Sequence, residues 1–330
     1  MVRFDFSGAI KLFKEAKTVA VCGHMNPDGD CLGSVLALVS VLNGAGIEAT
    51  PLLASKGKPV ALDFLPGYDT LVPAADYTDD PDVFVMVDVP NDERMRDGAA
   101  VKARAKATVK IDHHMGPDDV ADICYIDESA AAAGMLVWEL VKQMCDTPSV
   151  DVAKNCYAAL LTDTGSFRFQ NADEAAFESA AQMVAAGADP AYAATQFYQR
   201  KTIPALKLES LVVSRLQIEC QGHLAISWVE ERDLEQLGAK KDDCEELIDV
   251  VRQIAGPEVS VILRGQKDCI RGSIRSKTSH DVRAIAMQMN GGGHVAASGF
   301  TLYGSMQDAI GEVVARVGAS FGLACDEGAR

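Results

Sequence analysis

Val21-Cys22-Gly23-His24-Met25-Asn26-Pro27-Asp28-Gly29-Asp30-Cys31-Leu32-Gly33-Ser34 is the stretch whose reading decides the fold. The apolar run Thr18-Val19-Ala20-Val21 precedes its polar part, and a helix-like run over 31–42 follows it. The pattern predicts a strand, a polar turn and a helix. His24, Asp28 and Asp30, all potential metal donors, fall in the turn. In open α/β sheets, ligands bind in the crevice outside the carboxyl ends of the strands. A strand end fixes the backbone, while the loop beyond it stays open to solvent.

Two further apolar runs end the same way. Val83-Phe84-Val85-Met86-Val87 runs into Asp88, and Thr108-Val109-Lys110-Ile111 runs into Asp112-His113-His114. Continuous runs of this length fit strands buried on both faces of a parallel sheet. Strands are also predicted over 48–54 and 123–126, and helices over 7–16, 130–144, 150–161 and 174–186. The helix over 150–161 leads into Thr162-Asp163-Thr164-Gly165. The helical pattern over 191–216, interrupted by Pro204, reads as a connector between a first domain, 1–190, and a second, 217–330. In the second, strands over 224–229, 258–264 and 269–275 mix with helices over 243–254, 282–289 and 307–321. The expected architecture is therefore a mostly parallel α/β sheet flanked by helices, then a smaller α+β domain.

The length of 330 residues suits two ordinary domains, and 48% hydrophobic residues supply a large core. A formal charge of −16 with no long basic run excludes a long or duplex nucleic acid as partner, since such polymers are held through Lys and Arg on phosphates. The nine cysteines are scattered, with no C-x-x-C pair, which reads as reduced thiols of a cytoplasmic protein. The amino terminus alternates apolar and charged residues too soon for a signal peptide. The longest apolar run, 35–42, is too short for a membrane span.

Parallel strands bring their carboxyl ends to one edge, so the 24–30 turn, Asp88 and 112–114 should converge, with Asp163 joining from a helix end. Crowded carboxylates repel, and burial raises their pKa values. Divalent cations relieve both effects, and two suit this many donors better than one. Paired metals about 3.5–4 Å apart recur in phosphate-ester hydrolysis. A carboxylate–imidazole set without cysteine favours Mn²⁺ over Mg²⁺, with Co²⁺, Zn²⁺ or Fe²⁺ as alternatives. The bland reading is that turn Asp and Asn residues cap helices or form Asx turns. For Asp88 alone that reading would prevail. Three independent strand ends with one chemistry favour the metal site.

The motifs resemble those of the DHH phosphoesterases. His24-Met25-Asn26-Pro27-Asp28-Gly29-Asp30 with Gly33-Ser34 looks like the first motif, Asp88 the second, Asp112-His113-His114 the third and Thr162-Asp163-Thr164-Gly165 the fourth. Arg275-Ser276-Lys277 and Gly291-Gly292-Gly293-His294 resemble the partner domain called DHHA1. The nanoRNase/pAp-phosphatase subgroup is the nearest in pattern. The resemblance implies one metal site of His24, Asp28 and Asp88, and a second of Asp30, Asp88, His113 and Asp163, with Asp88 bridging. His114 would face the scissile phosphate, and Asp112 would support the histidines from behind. A homodimer is also implied.

Arg271, Ser273, Arg275 and Lys277 alternate, so a strand would put them on one face. Such a face can grip phosphate through the planar guanidinium fork, although a solvated edge strand would read the same way. Gly291, Gly292 and Gly293 can form an anion-binding nest, with His294 as a further donor, or a tight helix-to-strand connection. Where the family run has a fourth glycine this chain has Asn290, which tolerates left-handed backbone. Arg168 can touch phosphate, and Phe167 or Phe169 can stack a base or pack in the core. The expected activity is hydrolysis of short nucleotidic phosphoesters (nanoRNA, pApA-type linear dinucleotides, pAp) by a hydroxide activated by two metals. The rivals are a pyrophosphatase or exopolyphosphatase on the same centre, and an inactive nucleotide sensor.

Overall fold

Alternate residues of the apolar strands face two separate cores. Val19, Val21, Val83, Val85, Val87, Val109 and Ile111 belong to one cluster, whereas Ala20, Cys22, Phe84 and Met86 belong to another. Burial on both faces explains why these strands read as largely apolar runs. The computed structural model describes residues 4–115, 120–244 and 246–323. It divides into two units, residues 1–200 and 201–330.

In chain order the first unit comprises α1 (Ser7–Glu15), β1 (Thr18–Cys22), α2 (Gly29–Gly44), β2 (Glu48–Leu53), β3 (Val72–Pro73), β4 (Val83–Val87), α3 (Gly98–Lys102), β5 (Ala107–Asp112), β6 (Ile123–Ile126), α4 (Ala133–Met144), α5 (Val150–Asp163), α6 (Glu174–Ala185) and α7 (Pro190–Tyr198). The sheet order is β3-β2-β1-β4-β5-β6, with every pair parallel. The direction of winding reverses between β1 and β4, which is where such sheets open a crevice for ligands. Helix α4 begins at Ala133, three residues later than the pattern predicts. Ala132 is extended, and the first N–H groups of the helix are capped by Asp30 from another element.

The stretch 191–216 is divided between the units. α7 packs Ala193 and Phe197 on the first unit's core. α8 (Ile203–Ser214), with Pro204 in its first turn, packs Leu208 and Val212 on the second. The second unit continues with β7 (Gln217–Glu219), β8 (Leu224–Val229), α9 (Glu231–Leu237), α10 (Leu247–Arg252), β9 (Val259–Gly265), β10 (Ile270–Ser276), α11 (Val282–Met287), β11 (Gly292–Gly293), β12 (Ala297–Leu302) and α12 (Met306–Ser320). Its sheet, β11-β12-β10-β9-β8-β7, is antiparallel except for the parallel β8–β9 pair. One face is covered by α11 and α12. On the other, α8 and α10 cover the β8–β9 end.

Candidate functional site

The turns after β1, β4 and β5 and the end of α5 bring His24, Asp28, Asp30, Asp88, His113, His114 and Asp163 together. Asp28 N-caps α2, its Oδ1 accepting from the Cys31 N–H at 3.0 Å. Its other oxygen lies 3.8 Å from His24 Nε2. The capping reading of this aspartate and its place in the cluster therefore coexist. Asp30, fully buried, accepts from the N–H groups of Ala133 and Gly134 at 2.7 and 2.9 Å and from the Ser34 hydroxyl at 3.0 Å. It thus uses the positive N-terminus of α4 to support its charge.

Asp88 is at the centre. Its backbone is left-handed, φ 58°, a strained conformation that persists only where the surroundings enforce it. Its N–H donates to the Ile111 carbonyl at 3.0 Å. Asp88 Oδ2 lies 3.3 Å from His24 Nε2, while Oδ1 lies 3.4 Å from His113 Nε2 and 3.2 Å from His114 Nδ1. His113 Nε2 is also 3.5 Å from Asp30 Oδ2 and 3.3 Å from Asp163 Oδ2. His24 and His113 turn Nδ1 toward main-chain carbonyls, of Met25 at 2.9 Å and Ala130 at 3.1 Å. Asp112 Oδ1 accepts from the N–H groups of His113 and His114, at 2.8 and 3.1 Å, and lies 2.9 Å from His114 Nδ1.

This crowding sets the protonation. Burial and the negative charge of Asp88 push the Asp30 carboxyl up to about 7. Burial and Asp30 hold Asp163 well above the usual carboxylate range. Burial works against the Asp88 charge as well, but His113, His114 and His24 outweigh it and hold Asp88 well below that range. For the imidazoles burial opposes protonation and the anionic neighbours win. His113 and His24 stand well above their ordinary value, and His114 is raised to about 9 by Asp112 and Asp88.

The arrangement fits divalent cations. Asp88 Oδ1 is buried and accepts no hydrogen bond. Two imidazoles anchored through Nδ1 present Nε2 to carboxylate oxygens, the disposition typical of histidine ligands. Among the described residues, the groups whose donor atoms lie close enough together to hold an ion include Asp30, His113 and Asp163, and His24, Cys31 and Asp88. The sequence reading overlooked Cys31. Its sulfur accepts from the His24 N–H at 3.2 Å and lies within reach of His24 and Asp88. Nothing in a one-dimensional pattern shows that a helix-start cysteine folds back under the preceding turn.

On the second unit, Arg271, Ser273 and Arg275 share the face of β10 opposite Ile270, Gly272 and Ile274. Lys277 does not join them. The strand ends at Ser276, and the Lys277 ammonium turns to the Ile254 carbonyl just past α10. Arg264, missed in the sequence, does join. It stands directly opposite Arg271 across β9–β10 and donates to the Ser273 hydroxyl at 2.6 Å. Arg271 bonds Thr301, and Arg275 bonds the carbonyls of Ile274 and Ser298.

In place of a nest, Gly292 and Gly293 form a two-residue strand against β12, hairpinning through His294, whose N–H donates to the Ala297 carbonyl. Asn290 is left-handed, φ 55°. A Cβ at Gly291 would stand 2.1 Å from the Gly299 carbonyl oxygen, and one at Gly293 2.6 Å from that of Ala297, whereas one at Gly292 would meet open space. Close backbone approach therefore explains two of the three glycines. Arg168 turns its Nε back to the Gly165 carbonyl at 2.6 Å. Phe167 stacks on Phe177, and Phe169 fills the space beneath Gly165, so both phenylalanines pack.

Residues 18–164 match the DHH family, N-terminal domain, and residues 221–321 the DHHA1 domain. The chain is 28% identical to a bifunctional oligoribonuclease and PAP phosphatase, NrnA, of Thermus thermophilus, over 87% of this chain and 84% of that protein. It is 26% identical to the protein of the same description in Bacillus subtilis, over 87% and 90%. An exopolyphosphatase-related protein of Bacteroides fragilis shares the fold, with a TM-score of 0.88, 22% identity and coverage of 96% of both chains. The four motifs, the parallel sheet that gathers them and the mixed second sheet agree with these matches, and the chain belongs to the DHH family, with a DHHA1 domain as its second unit.

Proposed function

We propose that this protein is a metal-dependent phosphoesterase that hydrolyses short nucleotidic substrates: oligoribonucleotides of a few units, pApA-type linear dinucleotides and pAp. The observation that carries the reading is the convergence of three imidazoles on the two oxygens of Asp88, with Asp28, Asp30 and Asp163 around them. The relatives named as oligoribonuclease and PAP phosphatase support it. In this reading His24, Asp28 and Asp88 would hold one divalent ion, and Asp30, Asp88, His113 and Asp163 would hold a second, with Mn²⁺ favoured by the mixed donors. Bound ions of this kind supply Lewis acidity and a nucleophile at neutral pH.

The chain's own residues do the rest. As water's oxygen bonds to phosphorus and the P–O bond to the leaving group breaks, His114 gives a proton to the departing oxygen, and the proton that the water loses passes to solvent, from which the His114 imidazole is reprotonated. Asp112 fixes the orientation of that ring through Nδ1. Arg271, Arg275 and Arg264, with Ser273, bind a substrate phosphate on the second unit, and the Gly291–Gly293 backbone and His294 lie on the neighbouring hairpin. Arg168 serves the turn beside Asp163. The net charge of −16 disfavours long polyanions away from such local cationic groups.

Purified protein with Mn²⁺ is incubated with 5′-labelled RNAs of two to five nucleotides, with pAp and with pyrophosphate. Turnover of the RNAs or pAp, lost with chelator, is the expected result. Faster turnover of pyrophosphate would move the reading to a pyrophosphatase. Tight nucleotide binding with no hydrolysis would make the protein a sensor.

A further inference from the structure

Lys110 lies in the middle of β5 with none of its side chain exposed. Its strand neighbours are Met86 on β4 and Cys124 on β6. Val109 and Ile111 point to one core, so Lys110 and Asp112 share the opposite face of the strand, the side of Phe84, Met86 and Val89. An apolar side chain would fill that place without the desolvation penalty of a buried ammonium. The Lys110 contacts show what the charge does there. Nζ donates to the Pro90 carbonyl at 3.1 Å and stands 3.2 Å from Asp112 Oδ2. That oxygen accepts no hydrogen bond and faces the ammonium as a charge, while Asp112 Oδ1 is engaged by His113 and His114. Pro90 is two residues past Asp88, whose backbone is left-handed. One ammonium thus joins the chain leaving β4 to the chain leaving β5.

We propose that Lys110 is a positioning residue of the metal centre, holding the Asp88 turn and the Asp112–His114 pair in a common register. The inference rests on the reading of the site as a metal-dependent phosphoesterase. A buried ion pair that served stability alone could sit anywhere in the core. Here both partners of the ammonium adjoin the donors, so its loss frees the Asp88 turn and the His114 ring together. Lys110 acts on substrate only through these groups.

The test is a double-mutant cycle in the full chain: Lys110→Met, Asp112→Asn and the double variant, beside wild type. Near-UV circular dichroism monitors the fold, calorimetry the affinity for Mn²⁺ alone, and steady-state kinetics kcat and KM for the RNA substrate. Lys110→Met is expected to lower kcat or Mn²⁺ affinity about 10- to 100-fold, the range for groups that orient metal ligands, with KM for the RNA little changed. The double variant restores neutrality, so it is expected to fold and to be no worse than Asp112→Asn by more than about twofold. A folded Lys110→Met with wild-type kcat and Mn²⁺ affinity overturns the proposal, and so do multiplicative losses in the double variant. If neither Lys110 variant folds, Lys110 is a stability element and the proposal falls. Wild type that neither binds Mn²⁺ nor turns over RNA sinks the functional reading instead, and the two failures are told apart by that arm.

Discussion

Asp88 takes a backbone conformation that costs on the order of 1–3 kcal/mol in a non-glycine residue, and it offers its two oxygens to imidazoles on opposite sides. Asp88→Ala is expected to lower turnover by more than about 100-fold, beyond the range of outer-shell substitutions. Calorimetric titration should show Mn²⁺ binding weakened at the same time. A variant that keeps both would remove the bridge from the site. The imidazoles give a pH dependence. His24 and His113 stand above their ordinary pKa in the ion-free protein, and the imidazole nitrogen that binds a metal must be free of its proton. Ion affinity is therefore expected to rise from pH 6 to pH 8 with proton release, measured in two buffers of different ionisation enthalpy. Stability of the ion-free protein runs the other way. The His114 contribution is fully present below the unfolded value of about 6.5 and is lost as pH rises through about 9.

Among the elements, α2, α4 and α5 meet through small residues. A Cβ at Gly33 would come within 2.5 Å of the Asn155 carbonyl oxygen, and one at Gly134 within 2.4 Å of the Ala159 Cβ. Gly134 also gives its N–H to Asp30. Gly134→Ala is expected to destabilise the fold by about 1–3 kcal/mol in denaturant unfolding, as overpacking does, and to weaken ion binding by displacing Asp30. A second element-level device is Asp82, which accepts from the N–H groups of Lys17 and Thr18 and pairs with Lys106. The Lys106 ammonium and those N–H groups hold its carboxyl down to about 2. Its contribution is present above the unfolded value of about 3.9 and is lost as pH falls toward 2. Asp82→Asn is accordingly expected to flatten the acid limb of the stability curve. Elements of this kind were only partly legible in the sequence. β1 and β4 could be read because burial on both faces leaves an unbroken apolar run, and β5 because Lys110 is the one charge in an otherwise similar run before Asp112. β12, Ala-Ser-Gly-Phe-Thr-Leu, could not, because one of its faces carries only small or polar residues. Arg264 escaped because its place opposite Arg271 is a matter of strand register, which no local pattern encodes. Lys110 passes unnoticed inside the β5 run, and only packing shows its charge to be enclosed.

At the scale of the whole molecule, an anionic chain of net charge −16 carries a face on which Arg264 and Arg271 stand opposite each other across two strands. Like charges so placed repel, and an anion between them relieves the strain. Arg271→Ala is expected to raise KM for a short RNA about tenfold or more while leaving kcat near wild type, since a charged hydrogen bond contributes about 1.5–3 kcal/mol. An unchanged KM would return that face to solvent. Gly292→Ala separates backbone fit from ligand approach, because a methyl group there meets no protein atom. Unaltered thermal stability with a raised KM would place the substrate beside that hairpin. The strand order has one more consequence. The donors are drawn from positions 24 to 163 of the chain, through five parallel crossovers and a helix end. A polypeptide still emerging from the ribosome thus has no complete cage until α5 has been synthesised and docked. A product truncated before Asp163 would lack one donor of the Asp30, His113 and Asp163 group.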